Sequence, residues 1–301
     1  MTSGGFLKGG LLMANRQSQS GNARWLTRRN FARNLLAVAG ASICAVEKKS
    51  PLSSLLAAPP NTKFNLGIGS YTFRSLSPEE MIKRLKQLKI AYIELSHPQF
   101  MLPQAKKEDF GPLAKLFKAG GIQVSSWYGS TIRNSEEARR VVEMARILGV
   151  QHVSGDASGD GLKAVDDEFQ RNNLYFGIHN HFFRERKFEY QSPEDVLKAL
   201  SLTSKHVGAT LDTGHMVSCG YDPVEAFLKL KDRIRVMHLK DIQTPGNDQN
   251  VVFGNGKGKP DEVLKTIIKE GYAGLVAIEY EDERNLQADV EQCVKYVRER
   301  T

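Results

Sequence analysis

Imidazole and carboxylate side chains recur in the second half of the chain, each close behind a short apolar run. They are His179, His181, Asp212, His215, His238, Glu279 and Glu281, with Lys240 two residues after His238. Imidazole and carboxylate donors together suit transition-metal ions. Burying several ionisable groups in one place costs free energy unless they bind something. The pattern therefore predicts one bound divalent ion: Mn, Zn, Co, Mg or Fe.

Each of these residues also has an ordinary structural explanation when it is taken alone. A single histidine at the end of a strand is more often hydrogen-bonded within the fold than bound to a metal, and carboxylates such as Asp156 or Glu281 are commonly solvated. Four successive apolar runs end in a residue that can bind a metal, however, and such a series is not expected of polar residues that merely lie at the surface. The prediction of a metal site rests on the whole set.

The apolar runs that carry these residues predict strands alternating with helices. Runs rich in Val, Ile, Tyr and Phe lie at 65–71, 91–95, 122–127, 150–154, 174–178, 207–211, 235–239 and 275–279. Segments of helical period lie between them, and Ser77-Pro78 is typical of a helix start. Eight such units in about 240 residues predict one domain, an α/β (β/α)8 TIM barrel over 61–301. A doubly wound sheet is the alternative, but its Gly-x-Gly-x-x-Gly turn is missing.

In a TIM barrel the active site lies at the carboxyl ends of the strands. Polar or aromatic residues follow strands two, three and four as well, and we expect them to bind substrate together with His215; they are Glu94, His97, Trp127, Tyr128 and Asp156. Trp127 and Tyr128 could stack on a sugar ring, with packing in the barrel core as the alternative.

A glycine-rich loop follows the seventh strand, at a place where TIM barrels often bind phosphate. Its sequence is Gly254-Asn255-Gly256-Lys257-Gly258-Lys259. It lacks the spacing and the terminal Ser or Thr of a P-loop, so a mobile loop is the first expectation.

The first 58 residues are predicted to be a leader that is not part of the barrel. Arg28-Arg29 precedes a short apolar run, and small residues at 57–58 suit a peptidase. This resembles a twin-arginine export signal, which implies an exported, periplasmic protein. No run approaches the roughly 20 apolar residues of a membrane span, so stable membrane insertion is not expected.

Charge is unevenly distributed along the chain. Residues 1–60 hold eight of the 42 Lys and Arg residues but one of the 34 Asp and Glu residues, so residues 61–301 are close to neutral. Residues 61–301 therefore have almost no excess of cationic side chains that could displace counterions from a phosphate backbone, which argues against a nucleic-acid partner. The sequence is compatible with a homo-oligomer.

Three motifs carry a family resemblance. Residues 211–216, 237–241 and 277–281 read Leu-Asp-Thr-Gly-His-Met, Met-His-Leu-Lys-Asp and Ala-Ile-Glu-Tyr-Glu, and Gly-Tyr-Ala-Gly at 271–274 precedes the last of them. Together they resemble the xylose isomerase-like TIM barrels, also known as sugar phosphate isomerases/epimerases, over roughly 64–299. The resemblance implies a divalent ion held by four residues, with a fifth, His215, contacting the substrate. The four implied ligands are His179, Asp212, His238 and Glu279.

The fifth strand departs from the ketose epimerases of this family. Those enzymes end the strand with a Glu that works with the strand-eight Glu, whereas this chain has His179. Two assignments stay open: His179 is the ligand, or His181 is the ligand and His179 is an acid or base.

The resemblance implies an enzyme that acts on a small carbohydrate. We expect an isomerase or epimerase acting on a keto-sugar or related polyol through an enediolate, because a divalent ion can polarise the carbonyl. Glu279 is the expected base, and Lys240, with a pKa lowered by burial, the expected acid or oxyanion partner. His181 is a further catalytic candidate.

Three other functions are compatible with parts of the pattern. One is a lyase or dehydratase acting on 3-keto-glycosides or inososes. Another is an exported sugar-binding barrel without activity. The third, an apurinic endonuclease-like nuclease, needs a basic DNA-binding surface, which the near-neutral charge disfavours.

Overall fold

The computed structural model describes residues 64–301, so the expected leader and its cleavage site lie outside the described residues. Eight parallel strands pair in chain order, and the first also pairs with the last to close a barrel. They are β1 (Asn65–Gly69), β2 (Tyr92–Leu95), β3 (Gln123–Ile132), β4 (His152–Ala157), β5 (Tyr175–His179), β6 (Val207–Asp212), β7 (Ile234–Leu239) and β8 (Leu275–Ile278). The predicted (β/α)8 TIM barrel is confirmed.

Helices connect the strands along the outside of the barrel. In residues 64–301 they are α1 (Pro78–Gln87), α2 (Lys107–Ala119), α3 (Ser135–Leu148), α4 (Gly159–Arg171), α5 (Pro193–Leu200), α6 (Thr213–Ser218), α7 (Pro223–Leu230), α8 (Pro260–Lys269) and α9 (Leu286–Arg298). Short 3-10 turns lie at Ser70–Phe73, Pro98–Phe100 and Lys231–Arg233. No helix in this part of the chain combines the length and the apolar character needed to cross a membrane.

Several helices begin where serine-proline or aspartate-proline pairs predict. Ser77 and Ser192 each form a capping box, because each accepts a hydrogen bond from the third helical N–H while the acidic residue there accepts one from the serine N–H. Asp222 caps α7 through the N–H groups of Val224 and Glu225. Proline then takes the first helical position, where no intrahelical N–H is needed.

The third strand differs most from the prediction. It was expected to end at residue 127 but continues to Ile132, pairing with β4 beyond an irregularity between Tyr128 and Thr131. Ser130 has a φ of 70° within this irregularity. The bulge re-aims the strand, as bulges near barrel rims commonly do. As a result Trp127 lies inside the strand and not at its end.

Two apolar layers position the site. A large core fills the space between strands and helices and includes Ile68, Ile93 and Phe176, all fully buried. A smaller cluster of Val236, Leu275 and Ala277 forms a second layer, packed with Tyr92. Because successive strand residues alternate in direction, the apolar residue that precedes each site residue faces the core, as Ile178 and Leu239 do.

Candidate metal centre and active site

Donor atoms from strands five to eight converge on one carboxylate oxygen, Asp212 Oδ2. It lies 3.8 Å from His179 Nε2, 3.7 Å from His215 Nε2 and 3.6 Å from His238 Nδ1. Glu279 Oε2 in turn lies 3.4 Å from His238 Nδ1. Asp212 and His238 are directly paired on β6 and β7, so the sheet register brings them together. The structure therefore gathers all four residues that the resemblance implied as ligands, with His215 beside them.

Neighbouring backbone groups hold Asp212 in place. Its Oδ1 accepts a hydrogen bond from the His215 N–H at 2.8 Å and thereby caps α6. The Asn180 side chain accepts from the Asp212 N–H at 2.8 Å and donates to the Asp212 carbonyl at 3.0 Å. These contacts join the ends of β5 and β6, and they leave Asp212 Oδ2 facing the histidines.

The donor set fits a divalent cation. Within the donor cluster, His179 Nδ1 and Nε2, His215 Nδ1 and His238 Nδ1 are buried and make no hydrogen bond, and Asp212 Oδ2 has only the ion pair with Lys240 Nζ at 3.1 Å among its described contacts shorter than 3.5 Å. Leaving such atoms unpaired is costly. Their separations of 3.4–3.8 Å exceed an ordinary hydrogen bond. They match the distance of about 3.4 Å expected between ligands bound near 2.1 Å around one tetrahedral ion.

Two groups of residues could hold the ion, and they share Asp212. One consists of His179, Asp212 and His215, and the other of Asp212, His238 and Glu279. Neither group includes His181. Of the two assignments left open by the sequence, this geometry favours His179 as the ligand.

Glu94 supports His238 from inside the barrel. It is fully buried, and its Oε2 accepts a hydrogen bond from His238 Nε2. Its Oε1 accepts from the hydroxyls of Ser126 and Ser154, each at 2.8 Å. The expectation that Glu94 binds substrate is wrong, because the residue lies beneath the donor cluster and does not line the cavity. It fixes the ring so that Nδ1 faces Asp212.

Trp127 is also not a substrate-binding residue. Its side chain is fully buried, its Nε1–H donates to the Phe100 carbonyl at 2.7 Å, and its ring packs edge-on against Phe110 at 4.9 Å. The alternative of core packing is therefore the correct one for Trp127. The cause is strand alternation, because Trp127 points outward to Phe110 of α2 whereas the next residue, Tyr128, points to the cavity.

His97 and Asp156 lie away from the cavity wall. The His97 ring is held by backbone groups, since Nδ1 accepts from the Gln99 N–H at 3.2 Å and Nε2 lies 3.0 Å from the Arg74 carbonyl. Asp156 lies behind Tyr128 and accepts a hydrogen bond from its hydroxyl at 3.5 Å. The expectation that His97 and Asp156 contact substrate is corrected accordingly.

Tyr128, by contrast, lies where the sequence places it. It lines the cavity, and its ring meets His179 edge-on at 5.3 Å. Burial, reinforced by the Asp156 carboxylate, raises the pKa of Tyr128 well above its usual range. The phenol therefore keeps its proton, which it donates to Asp156, and its oxygen can accept a hydrogen bond from a ligand hydroxyl.

Lys240 is a buried ammonium held by three carboxylates. Its Nζ lies 3.1 Å from Asp212 Oδ2, 2.9 Å from Glu279 Oε2 and 2.5 Å from Glu281 Oε1. Burial alone would lower its pKa, but these carboxylates outweigh burial and raise the pKa of Lys240 well above its usual range. The expectation of a lowered pKa is wrong because it considered desolvation without the paired charges.

Gly214 makes room for this lysine. A Cβ at Gly214 would lie 2.6 Å from Lys240 Cγ, closer than real side chains approach. The glycine of the Asp-Thr-Gly-His motif is thus explained by the close passage of the Lys240 stem.

His181 lies in a stack of rings on the opposite wall. Its ring is parallel to Phe183 at 4.2 Å on one side and lies against His215 at 4.1 Å on the other. Its Nδ1 donates to the Phe182 carbonyl at 2.8 Å, which leaves Nε2 as an acceptor. Burial, followed by the neighbouring His179 and Lys240, lowers the pKa of His181 to about 4. The ring is therefore neutral at physiological pH.

A cavity of about 400 Å³ opens above the donor cluster. The sequence analysis did not select several residues of its wall: Tyr71, Ser96, Met101, Phe182, Phe183, Arg184 and Asp248. Tyr71 and Ser96 follow β1 and β2, so their position after a strand could have indicated them. Arg184 and Asp248 form an ion pair of 2.9 Å between two loops, and no sequence motif indicates this pair. Glu281, which was expected to be solvated, also lines the cavity.

Comparisons with known proteins agree with this architecture. An inosose dehydratase from Clostridium botulinum is 28% identical over 130 residues, which cover 36% of this chain and 44% of that protein. The chain thus spans less than half the length of this curated relative. The probable 3-DHS dehydratase AsbF from Bacillus anthracis superposes with a TM-score of 0.64 at 14% identity, covering 79% of this chain and 100% of that one.

A third similar protein carries a metal. The IolI protein, crystallised with a bound zinc atom, superposes with a TM-score of 0.62 at 15% identity and covers 79% of this chain and 99% of its own. The sequence model of one protein family, the xylose isomerase-like TIM barrel, matches residues 82–300. The chain therefore belongs to the xylose isomerase-like TIM barrel family.

Proposed function

We propose that this protein is a divalent-metal-dependent enzyme that removes the proton beside the carbonyl of a keto-sugar or inosose and then expels a hydroxyl as water. The observation that carries the proposal is the convergence of nitrogen atoms of His179, His215 and His238 on the buried Asp212 Oδ2 under an open cavity. His179, Asp212, His238 and Glu279 would hold the ion, with His215 as a fifth candidate donor. A divalent ion bound there supplies Lewis acidity toward a carbonyl oxygen.

Glu279 is the residue that we propose takes the proton. It lines the cavity, and its carboxylate is held by the Lys240 ammonium at 2.9 Å. Burial would raise its pKa, but Lys240 and His238 outweigh burial and lower the pKa of Glu279, so the side chain is a carboxylate at neutral pH. Lys240 is 1% exposed and does not line the cavity. It therefore acts by positioning Glu279 and Glu281 and not by touching the substrate.

The arrangement of the wall supports elimination over epimerisation. Glu279 and Glu281 both follow β8 and the third carboxylate of the wall, Asp248, is ion-paired with Arg184, whereas the wall after β3 and β5 carries the phenol Tyr128 and the neutral imidazole His181. Epimerisation requires a proton carrier on each face of the substrate. In an elimination, one carboxylate suffices: the C–H bond breaks, Glu279 holds the proton, the neighbouring C–O bond breaks, and the departing hydroxyl takes the same proton to leave as water.

His181 and Tyr128 would orient the substrate during these steps. His181 Nε2 is an acceptor because Nδ1–H is bonded to Phe182, so it suits a substrate hydroxyl. The Tyr128 oxygen, whose proton is donated to Asp156, likewise suits a substrate hydroxyl as an acceptor. The similarity to an inosose dehydratase and to the probable 3-DHS dehydratase AsbF, both named for loss of water, supports the same reaction class.

Isomerisation is the second candidate, and the same one-sided carboxylate wall supports it. If Glu279 instead returns the proton to the former carbonyl carbon, and the hydroxyl proton of the neighbouring carbon moves to the former carbonyl oxygen, the product is an isomer of the substrate. Both candidates share the first step, and they differ in the mass of the product.

The test begins with elemental analysis of the purified protein, followed by incubation of the metal-loaded protein with inososes, 3-keto-glycosides and ketoses in deuterated water. Dehydration yields a product that has lost one water, whereas isomerisation yields a product with the atoms of the substrate, heavier by one mass unit for each deuterium that has exchanged onto carbon. We expect the lighter product, and we expect Glu279→Gln to lower turnover by about 10²-fold or more.

The matched control is His206→Gln, a buried histidine at the other end of the barrel, which should leave turnover unchanged. Full activity of Glu279→Gln would refute its role, and activity that survives complete removal of the metal would refute the proposed metal dependence. Sugar binding with no product from any of the three sugar classes would instead indicate a binding protein.

A further inference from the structure

The glycine-rich loop after β7 is occupied by a carboxylate of the chain itself. Asp241 Oδ2 accepts hydrogen bonds from the N–H groups of Gly254 at 2.9 Å and Gly256 at 3.1 Å, and Oδ1 accepts from the Gly258 N–H at 2.7 Å. Asp241 is 1% exposed. The loop, which the sequence suggested would be mobile, is thus tied down by three hydrogen bonds to one buried side chain.

Three backbone N–H groups that point at one anion are the arrangement with which protein loops bind phosphate. In TIM barrels the loops after strands seven and eight frequently carry such a site. Here the side chain of Asp241 takes the place that a phosphate oxygen would take. An external anion would have to displace a buried carboxylate that already has its hydrogen bonds.

The glycine spacing of the loop is explained in part by Asp241. A Cβ at Gly256 would lie 2.4 Å from Asp241 Oδ1, and a Cβ at Gly258 would lie 2.8 Å from the same atom. Both distances are shorter than a real Cβ contact, so a side chain at either position would collide with the carboxylate. Gly256 and Gly258 therefore leave room for the internal carboxylate and for the neighbouring backbone of Ile242 and Lys240, whereas Gly254 has a φ of 90°.

Three cations near the loop and the cavity are paired, whereas Lys257 of the loop itself is exposed. Lys259 Nζ donates to Asp222 Oδ2 at 2.6 Å, and Arg184 is ion-paired with Asp248 at 2.9 Å. Lys240 is held by three carboxylates. Of the described residues that line the cavity, Arg184 is the one Lys or Arg side chain, against the carboxylates of Asp248, Glu279 and Glu281. Among these lining residues no unpaired Lys or Arg side chain is offered to a phosphate group.

We infer that the substrate of this cavity is an uncharged polyol or keto-sugar without a phosphate group, and that Asp241 is the residue that excludes phosphate from the loop after β7. The statement about substrate rests on the proposed function. The statement about Asp241 rests on the loop alone, so the two can fail separately.

The loop is tested with inorganic phosphate. Metal-loaded wild type, Asp241→Ser and Asp241→Asn are titrated by calorimetry and by thermal unfolding. Serine removes the carboxylate and leaves the N–H groups open, so we expect Asp241→Ser to bind phosphate about tenfold or more tightly than wild type does. Asparagine keeps the volume and one acceptor oxygen, so this variant should fold and bind phosphate as weakly as wild type. Phosphate that binds through the metal affects all three proteins alike, and the difference between them reports the loop.

Equal phosphate affinity in Asp241→Ser and wild type would overturn the role of Asp241. If the serine variant does not fold, recovery of folding on addition of phosphate supports the inference. Phosphate binding to wild type that Asp241→Asn abolishes contradicts it, and this measurement does not depend on the serine variant.

The substrate is tested on wild type with a matched pair, a ketose or inosose that is turned over and its monophosphate. We expect kcat/KM to be about 10²-fold or more higher for the uncharged member, since the N–H groups of the loop after β7 are occupied by Asp241 and offer a phosphate group no hydrogen bonds. Preference for the monophosphate would overturn the inference. If no sugar is turned over, the proposed function has failed, while the phosphate titrations still decide the role of Asp241.

Discussion

The two ends of the barrel both carry clustered histidines, but only one end resembles a metal site. At the carboxyl end, three imidazoles surround Asp212 Oδ2 at 3.6–3.8 Å. At the amino end, Tyr175 is stacked between His152 at 5.5 Å and His206 at 5.0 Å, and Arg235 lies over the same ring at 4.7 Å.

The two ends of the barrel differ in how their carboxylates are placed relative to the histidines. At the amino end, Glu270 is paired with Lys231 at 2.6 Å, and within residues 64–301 the His, Cys, Asp or Glu groups able to hold an ion all include Asp212. Parallel stacked rings present faces to one another, whereas the rings at the carboxyl end present nitrogen atoms to one oxygen. Histidine count therefore does not identify a metal site; convergence of unpartnered nitrogens on a carboxylate does.

The largest expected effect comes from removing the charge on which the donors converge. Asp212→Asn keeps the volume and the oxygen that caps α6, but it weakens the ligand set. We expect metal retention to be lost and turnover to fall by about 10³-fold or more, because a Lewis acid contributes several kcal/mol to such reactions. Elemental analysis and kcat/KM measure both effects.

The amino end supplies the control for this substitution. His206 is buried and its Nδ1 lies 2.9 Å from the Leu174 carbonyl. His206→Gln should retain the metal and the activity. Equal metal loss in Asp212→Asn and His206→Gln would mean that the carboxyl end of the barrel does not hold the ion through Asp212.

The same convergence explains what the sequence could predict. Strands six to eight carry their site residues at or directly after the last strand position, so the rule that barrel sites lie at carboxyl strand ends was enough to select Asp212, His238 and Glu279. His179 ends β5 in the same way. For these residues strand position and chemistry coincide.

The misassigned residues fail for identifiable physical reasons. Trp127 points outward from β3 to α2, and a bulge, which depends on pairing with neighbouring strands, extends β3 to Ile132. Glu94 lies inside the barrel below the cavity. The register in which β2 pairs with β1 and β3, and not the residue type, sets this depth. The Arg184–Asp248 pair joins loops 64 residues apart in the chain, a contact that no local pattern encodes.

A second variant separates the ammonium from the metal. Lys240→Met leaves the carboxylates of Asp212, Glu279 and Glu281 without their buried counter-charge. We expect the free energy of unfolding of the metal-free protein to fall by about 3–5 kcal/mol, the usual cost of breaking a buried ion pair. Added divalent ion should recover much of the loss, since its charge and binding favour the folded state. Urea denaturation with and without metal measures this.

Lys259→Met is the comparison for Lys240, because it breaks an exposed pair with Asp222 far from the donor cluster. It should cost much less stability, and added metal should not rescue it. Loss of equal size in the two variants, or no metal rescue of Lys240→Met, would contradict the assignment.

A smaller effect is expected from the residue that orients His238. Glu94→Gln keeps the shape but replaces the acceptor that fixes the ring. Partners of this kind contribute about 10–100-fold to metal affinity, so we expect a loss in that range, measured by competition with a chelating dye. Ser126→Ala removes one hydrogen bond to Glu94 and should have a weaker effect of the same sign. A larger loss in Ser126→Ala than in Glu94→Gln would refute this order.

The smallest effect lies at the amino end and concerns pH. Burial, reinforced by Arg235, lowers the pKa of His152. The unfolded chain therefore binds a proton at a higher pH than the folded chain, so the stability that neutral His152 contributes is present above pH about 6.5 and is lost as pH falls toward its folded pKa. His152→Gln should flatten the pH dependence of unfolding below pH about 6.5. Urea titrations over pH, with and without metal, should show the same flattening in both conditions, because this histidine does not belong to the donor cluster. A pH dependence unchanged by the substitution, or one altered by the metal, would place His152 in a different role.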